Sequence, residues 1–311
     1  MDKIYDLIIL GGGPAGMSAG IYAIQTKLDT LLLEKEKFGG QILTTNSITN
    51  YLGFANISGD ELSERMHKHL EGTGINIFQE EVTKTILNRD IKEIHTHKNI
   101  YKAYSVIISI GTTIRKLGVD NESAFVGKGI SYTTIKDRDK YKDKTVAVIG
   151  GGNSAIEDAL YLSQTCKKVY LVHRRSEFRA DNLLVEQLYQ EIERNGKIEL
   201  VLESKPHSIE GKDTITALNV TYIPDDSIRN IPLDGIFVAI GRGADTDIID
   251  SNIARDSSGY IITDQYMQNN VPGVYAVGDI RNTPLRQIIT ATSDGAIASI
   301  QANIYVKKLK K

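Results

Sequence analysis

Two glycine loops, each entered from a short apolar strand and left through a small-residue helix, restrict this chain more than anything else in it. The first carries Leu7-Ile8-Ile9-Leu10 into Gly11-Gly12-Gly13-Pro14-Ala15-Gly16 and on through Met17 to Ala23. The second carries Thr145-Val146-Ala147-Val148-Ile149 into Gly150-Gly151-Gly152-Asn153-Ser154-Ala155, with a helix expected from Ile156 to Gln164. Apolar runs of this length suit buried strands of a parallel sheet. The loops fit G-x-G-x-x-G and G-x-G-x-x-A in the strand-loop-helix context that a dinucleotide fingerprint requires. Gly11 permits the tight turn, Gly13 has no Cβ to keep a pyrophosphate from the backbone, and Gly16 lets the helix pack close to the strand. The helix N-terminus then faces the phosphates. Two such units predict an α/β protein with two nucleotide sites on two related domains.

The strands that follow the two loops end differently. Thr30-Leu31-Leu32-Leu33 closes with Glu34, where a ribose-binding acid belongs. Val169 to Val172 closes with His173-Arg174-Arg175, and Arg179 is expected one helical turn later. A carboxylate there would repel a 2′-phosphate, whereas guanidinium groups can bind it in pairs of hydrogen bonds. The first loop therefore reads as the site of a nucleotide with an unmodified ribose, and the second as a site for NADPH. A solvated basic helix start is the plainer account of the arginines.

A length of 311 residues suits two domains. The net charge of −2 gives no reason to expect nucleic acid or an acidic membrane. The single cysteine, Cys166, excludes an internal disulfide and a cysteine-rich metal site; it reads as a small buried apolar residue. No basic-then-apolar leader precedes Tyr5 and no apolar run nears the ~20 residues of a membrane span, so a cytoplasmic protein is expected. The polar run from Thr44 to Asn50 either lines a polar ligand or is a loop. Further strands are expected at Ser105–Ile110, Thr214–Ile223, Ile236–Ile240 and Val274–Val277, the last running into Gly278-Asp279, with a final helix from Ser293 to Tyr305. The closing Lys307-Lys308-Leu309-Lys310-Lys311 reads as a basic helix end complementing the dipole, or more weakly as a patch for an acidic electron carrier.

With these residues assembled, the chain resembles the low-molecular-weight thioredoxin reductases from end to end. The resemblance is carried by GGGPAG at 11–16, GGQ at 39–41, Asn50 before Tyr51, GGGNSA at 150–155, HRRSEFRA at 173–180, FVAIG at 237–241, VGDI at 277–280 and RQIITA at 286–291. It implies two Rossmann-like, three-layer nucleotide-binding domains: an FAD domain from 1–113 and 245–311, and an NADPH domain, 114–244, inserted in it. A homodimer is also implied. Carried over residue by residue, the FAD site would comprise Gly11, Gly13, Pro14, Ala15, Gly16, Glu34, Gly40, Gln41, Asn50, Val82, Gly111, Gly278, Asp279, Arg286 and Gln287. In it Glu34 would face the adenosine ribose, Gln41 and Asn50 the isoalloxazine, Asp279 the ribityl chain and Gln287 the pyrimidine edge. The NADPH site would comprise Gly150, Gly152, Asn153, Ser154, Ala155, His173, Arg174, Arg175, Arg179 and Gly241.

One departure bears on function. The family carries Cys-x-x-Cys followed by Asp-Gly shortly before its second glycine loop, and that place here reads Ser131-Tyr132-Thr133-Thr134-Ile135-Lys136-Asp137-Arg138. Thr133 and Lys136 stand where the cysteines would be, and neither can cycle between dithiol and disulfide. Asp137 matches the family's proton donor. The chain also has Gly243-Ala244-Asp245-Thr246 where the family usually has Pro-Asn. The expectation is an NADPH-dependent flavoprotein oxidoreductase that passes electrons to an external acceptor without a thiol relay. The acceptor is open among ferredoxin, flavodoxin, quinones, free flavins, small disulfides and oxygen. The rival is a redox-inactive protein that binds FAD and NADPH and is read by a partner.

Overall fold

The computed structural model describes residues 3–45 and 47–311, without the side chains of residues 135 and 136. The chain divides into two compact units, one built from residues 1–113 and 243–311, the other from 114–242. The second crossing thus falls between Arg242 and Gly243, where the sequence reading put it after residue 244.

In the discontinuous unit the first strand, β1 (Ile4–Leu10), lies between β2 (Thr30–Glu34) and the strand Ile100–Ile108, parallel to both. Its residues Leu7 to Leu10 are wholly buried. They alternate between two cores. Leu7 and Ile9 join Ala19, Ala23 and Ala302 on one face, and Ile8 and Leu10 join Val106, Ile253 and Ile280 on the other. That double burial is why the strand reads as a continuous apolar run rather than an alternating one. Strand Val274–Ala276 returns late in the chain to pair in parallel with Ile100–Ile108. It thereby delivers Gly278 and Asp279 to the sheet end from which the first glycine loop also leaves.

The inserted unit repeats the plan. Strand Thr145–Ile149 lies between Lys168–Val172 and Gly235–Val238, again parallel to both. Val146 and Val148 pack with Ala155, Ile156 and Leu162 beneath the helix Asn153–Ser163. Ala147 and Ile149 pack with Leu218, Val220 and Ile231 of a three-stranded antiparallel sheet on the other side. Both units are layered parallel-sheet nucleotide-binding folds, as expected. Among the described residues no helix is long and apolar enough to cross a membrane.

Three local expectations change. The last helix spans Ile288–Leu309 and starts earlier than the Ser293 expected, because Gln287 and Thr290 close a reciprocal capping box at its N-terminus. The strand expected at Ser105–Ile110 spans Ile100–Ile108, extended backward by its antiparallel pairing with Lys92–Thr96. Residues 174–180 are bends and irregular chain, not a helix start, and the following helix begins only at Asn182.

Candidate functional site

The first loop has the geometry its glycines foretold. Gly11 adopts φ +104°, in the region that excludes ordinary side chains. A Cβ on Gly16 would sit 1.9 Å from the Gly11 carbonyl oxygen and 2.7 Å from Ser109 Oγ, so helix and strand touch through backbone. A Cβ on Gly13 would meet nothing within 4 Å. Helix α1 (Pro14–Gln25) starts with Pro14 in its first turn, Gly13 as its N-cap and no side chain capping it, which leaves its first N–H groups directed at that open space. A helix start that no side chain caps, beside a glycine that faces empty space, fits a pyrophosphate.

Around this loop the fold gathers residues from distant parts of the chain. Glu34 accepts hydrogen bonds from the N–H of Gly12 at 2.5 Å and of Glu36 at 2.9 Å. Its carboxylate therefore also fastens the loop, and its remaining lone pairs are what a ribose would meet. A Cβ on Gly40 would lie 3.6 Å from Gly13 Cα. Gln41 Nε2 donates to Thr112 Oγ1 at 2.9 Å and to Asp279 Oδ2 at 3.0 Å. Gly111, at φ +65°, keeps its side open toward the Gln41 amide. Asn50 Nδ2 donates to Gln287 Oε1 at 3.1 Å. Gly278 approaches Ala15, and Arg286 lies over the Tyr260 ring at 4.2 Å. Val82 sits in the sheet's antiparallel extension and packs on the second core.

Three residues that the sequence reading passed over complete the arrangement. Ser109 Oγ donates to the carbonyls of Leu10 and Gly11 at 2.7 and 3.0 Å, fixing the turn's shape. Thr112 receives the Gln41 amide. Asp294, buried in the final helix, accepts from Gly278 N–H at 3.1 Å and from Arg281 at 3.4 Å. Burial pushes the Asp294 carboxyl up against the opposing pull of Arg281. A serine, a threonine and a helical aspartate carry no motif, so only the packed fold identifies them.

The second loop follows the same rules with other partners. Gly150 has φ +155°, and a Cβ there would lie 2.4 Å from Ala239 O and 2.7 Å from Ala155 Cβ; on Gly152 it would meet open space, as on Gly241. His173 lies flat against Gly151, where a Cβ would come within 2.1 Å of its ring. The imidazole contacts the Glu177 carbonyl through Nε2 at 3.1 Å and stacks on Phe178, and burial holds its pKa below the ordinary range. His173 is therefore a neutral structural wedge rather than a cation for phosphate. Arg174, Arg175 and Arg179 are exposed, as is Ser154, while Ala155 is buried. Asn153 is turned aside: its side chain pairs with Asp181.

The stretch from Ser131 to Lys140 is tied down by hydrogen bonds. Ser131 Oγ donates to Asp137 Oδ2 at 2.7 Å and accepts from the Thr133 N–H at 3.1 Å. Lys140 Nζ reaches Asp137 at 2.6 Å, and Arg138 lies over the Tyr161 ring at 4.1 Å. Thr133 precedes the short helix Thr134–Asp137. Lys136 contributes backbone to that helix; its side chain lies outside the described residues. Asp158, bonded to the Thr134 hydroxyl, has its carboxyl pushed up to about 6 by burial, with Thr134 opposing and Glu157 adding to the rise. A raised folded-state pKa stabilises the protein fully below the unfolded value near 4 and loses that contribution as pH rises through about 6. Asp158→Asn is accordingly expected to flatten the stability profile between pH 4 and 6. Denaturant melts across that range would show it, with at most about 3 kcal/mol recovered at neutral pH.

Cys166 is 1% exposed among Leu162, Val169 and Leu188, and burial pushes its thiol pKa up. It is the small core residue expected. Among the described residues no group of three or more His, Cys, Asp or Glu side chains is placed to hold a metal.

A family model described as pyridine nucleotide-disulphide oxidoreductase matches residues 5–295. The thioredoxin reductase of Listeria innocua is 36% identical over 311 residues, covering all of this chain and 96% of that protein. A 34.2 kDa protein in the rubredoxin operon of Clostridium pasteurianum is 36% identical over 98% of each chain. The crystal structure of Lactococcus lactis thioredoxin reductase in its FR conformation superposes with a TM-score of 0.82 at 35% identity, covering 98% of this chain and 99% of that one.

Proposed function

The chain belongs to the pyridine nucleotide-disulphide oxidoreductase family, and from that premise we propose that it oxidises NADPH and passes the electrons to an acceptor outside the chain with no dithiol relay. FAD and NADPH are the cofactors of its thioredoxin reductase relatives. The discontinuous unit is the FAD domain in this reading, and the inserted unit is the NADPH domain. The observation that carries it is the fate of sulfur: the one cysteine is in the core with a raised thiol pKa; in this reading Thr133 and Lys136 stand where the family's cysteines would be.

FAD, when bound, supplies a centre that takes hydride and can release electrons singly or in pairs. The chain's own residues do the rest. The N–H groups at the start of α1, which no side chain caps, and the bare Gly13 receive a pyrophosphate, and Glu34 takes ribose hydroxyls with its free lone pairs. Gln41, Thr112 and Asp279 form one hydrogen-bonded set that holds polar side chains in place before any ligand arrives. Asn50 and Gln287 act likewise beside them. Arg174, Arg175 and Arg179 supply guanidinium groups to a 2′-phosphate, and the neutral His173 keeps their loop seated on Gly151.

Anaerobic stopped-flow mixing tests the reading. NADPH should bleach the visible flavin band within seconds, while thioredoxin added with NADPH should yield no new dithiol. Thioredoxin dithiol formation at rates typical of an enzyme, on the order of 1–1000 per second, would overturn the absence of a relay. No bleaching over minutes would replace the enzyme by the redox-inactive binding protein. A small electron carrier such as ferredoxin, flavodoxin or rubredoxin is the narrower acceptor reading, favoured by the relative named for a rubredoxin operon. Turnover with NADPH across carriers, quinones, disulfides and oxygen discriminates among them.

A further inference from the structure

We propose that Asp181 and Asn153 form a latch that holds the 173–180 loop in the shape a 2′-phosphate requires, which makes Asp181 a positioning residue for the choice of NADPH over NADH. The proposal rests on the reading of this loop as the NADPH site.

The Asn153 side chain bonds both the carboxylate and the backbone N–H of Asp181. Asn153 Nδ2 donates to Asp181 Oδ2 at 2.6 Å, and the Asp181 N–H donates to Asn153 Oδ1 at 2.9 Å. Asn153 opens the helix that leaves the second glycine loop, and Asp181 is the residue before the helix Asn182–Asn195. The pair therefore closes the far end of the arginine loop onto the glycine turn. At that same end the Arg179 N–H donates to Gly151 O at 2.8 Å, and at the near end His173 is wedged against Gly151 and stacks on Phe178. The loop is thus fastened at both ends while its three guanidinium groups stay free. Among the described residues Arg174, Arg175 and Arg179 make no ion pair. A loop whose backbone is fixed and whose cations are uncommitted is preorganised for an anion.

The carboxylate at Asp181 makes the argument sharper. A negative charge beside a phosphate site weakens it by repulsion, so its presence calls for a compensating role. The hydrogen bonds to Asn153 are that role. They also explain why the Asn153 side chain is withheld from the loop opening: both its amide oxygen and its nitrogen are in use.

Titration calorimetry of the FAD-loaded protein with NADP+ and with NAD+ separates the possibilities, because it needs no acceptor. Asp181→Ala, which removes the charge-assisted bond and keeps the backbone one, should weaken NADP+ binding about tenfold; Asn153→Ala, which removes both, should weaken it at least as much, and each should leave NAD+ within about twofold. The double variant should be no worse than Asn153→Ala alone. Asp181→Asn keeps an acceptor for the Asn153 amide and removes the charge, so it should bind NADP+ at least as well as the unaltered protein. If Asp181→Ala binds NADP+ as tightly as the unaltered protein, or if Asp181→Asn loses as much as Asp181→Ala, the latch is overturned. Equal losses for NADP+ and NAD+ would overturn the selectivity role as well. An unaltered protein that binds both nucleotides alike would instead bring down the 2′-phosphate reading on which the latch depends.

Discussion

Alanine at Gly16 is expected to cost the protein both its flavin and several degrees of melting temperature. The added Cβ would sit 1.9 Å from the Gly11 carbonyl oxygen and 2.7 Å from Ser109 Oγ, where real contacts begin near roughly 3.4 Å. Both neighbours are held. The Gly11 carbonyl belongs to a turn at φ +104°, and Ser109 is bonded to two carbonyls of that turn. No flexible side-chain end can move away, so the helix must leave the strand or the turn must open. Overpacking of this kind costs about 1–3 kcal/mol, which in a chain of this size lowers Tm on the order of 5 °C. Opening the turn also moves the N–H groups of α1 away from where they meet phosphate.

Gly13→Ala supplies the contrast. Its backbone is extended, at φ −72° and ψ 179°, and a methyl group there would touch nothing within 4 Å. The apoprotein should melt as before. The methyl would nevertheless stand in the space assigned to the pyrophosphate. Losing two hydrogen bonds to a charged group, at about 1.5 kcal/mol each, predicts FAD affinity lower by about 100-fold. The checks are the ratio of visible to ultraviolet absorbance of the purified protein and its thermal melt without flavin. A Gly13→Ala protein that retains stoichiometric FAD with unchanged affinity would remove the pyrophosphate from this loop.

These two glycines show what was legible before the fold was known, and why. Their spacing is a local signal, since strand, turn and helix follow one another within a few residues, and the backbone conformations are dictated at those positions. Glu34 is legible for the same reason: it ends the strand hydrogen-bonded beside β1. Asp294 is not. It lies in the final helix, and its meaning depends on Gly278 arriving beside it after strand Val274–Ala276 has paired with Ile100–Ile108. Thr112 is in the same position, given meaning only by an amide from residue 41. The arginine loop was legible in composition but not in shape. His173 reads as one more basic residue in sequence, whereas in the fold it is a buried, neutral wedge. The motif names the charges; packing decides which of them are available.

That distinction sets the size of the effect expected from Arg174→Ala combined with Arg175→Ala. The reading assigns both guanidinium groups to the 2′-phosphate, which NADH lacks. Hydrogen bonds to charged groups contribute about 1.5–3 kcal/mol each, but these side chains are exposed, so solvent screening reduces each toward about 1 kcal/mol. Together they predict a rise of roughly 30-fold in the Michaelis constant for NADPH, with NADH changed little. The effect should shrink as ionic strength rises toward 1 M, where screening extends only about 3 Å. Lysine at both positions should restore the charge without the paired geometry and recover only part of the preference. His173 enters as a control on the same loop. His173→Ala would leave a void against Gly151 and loosen the loop, lowering NADPH affinity through disorder rather than through charge, so its effect should persist in high salt. Equal changes for NADPH and NADH in the double arginine variant would end the assignment of these residues to a 2′-phosphate. The Asp181 carboxylate just past the loop would then need no latch to restrain it.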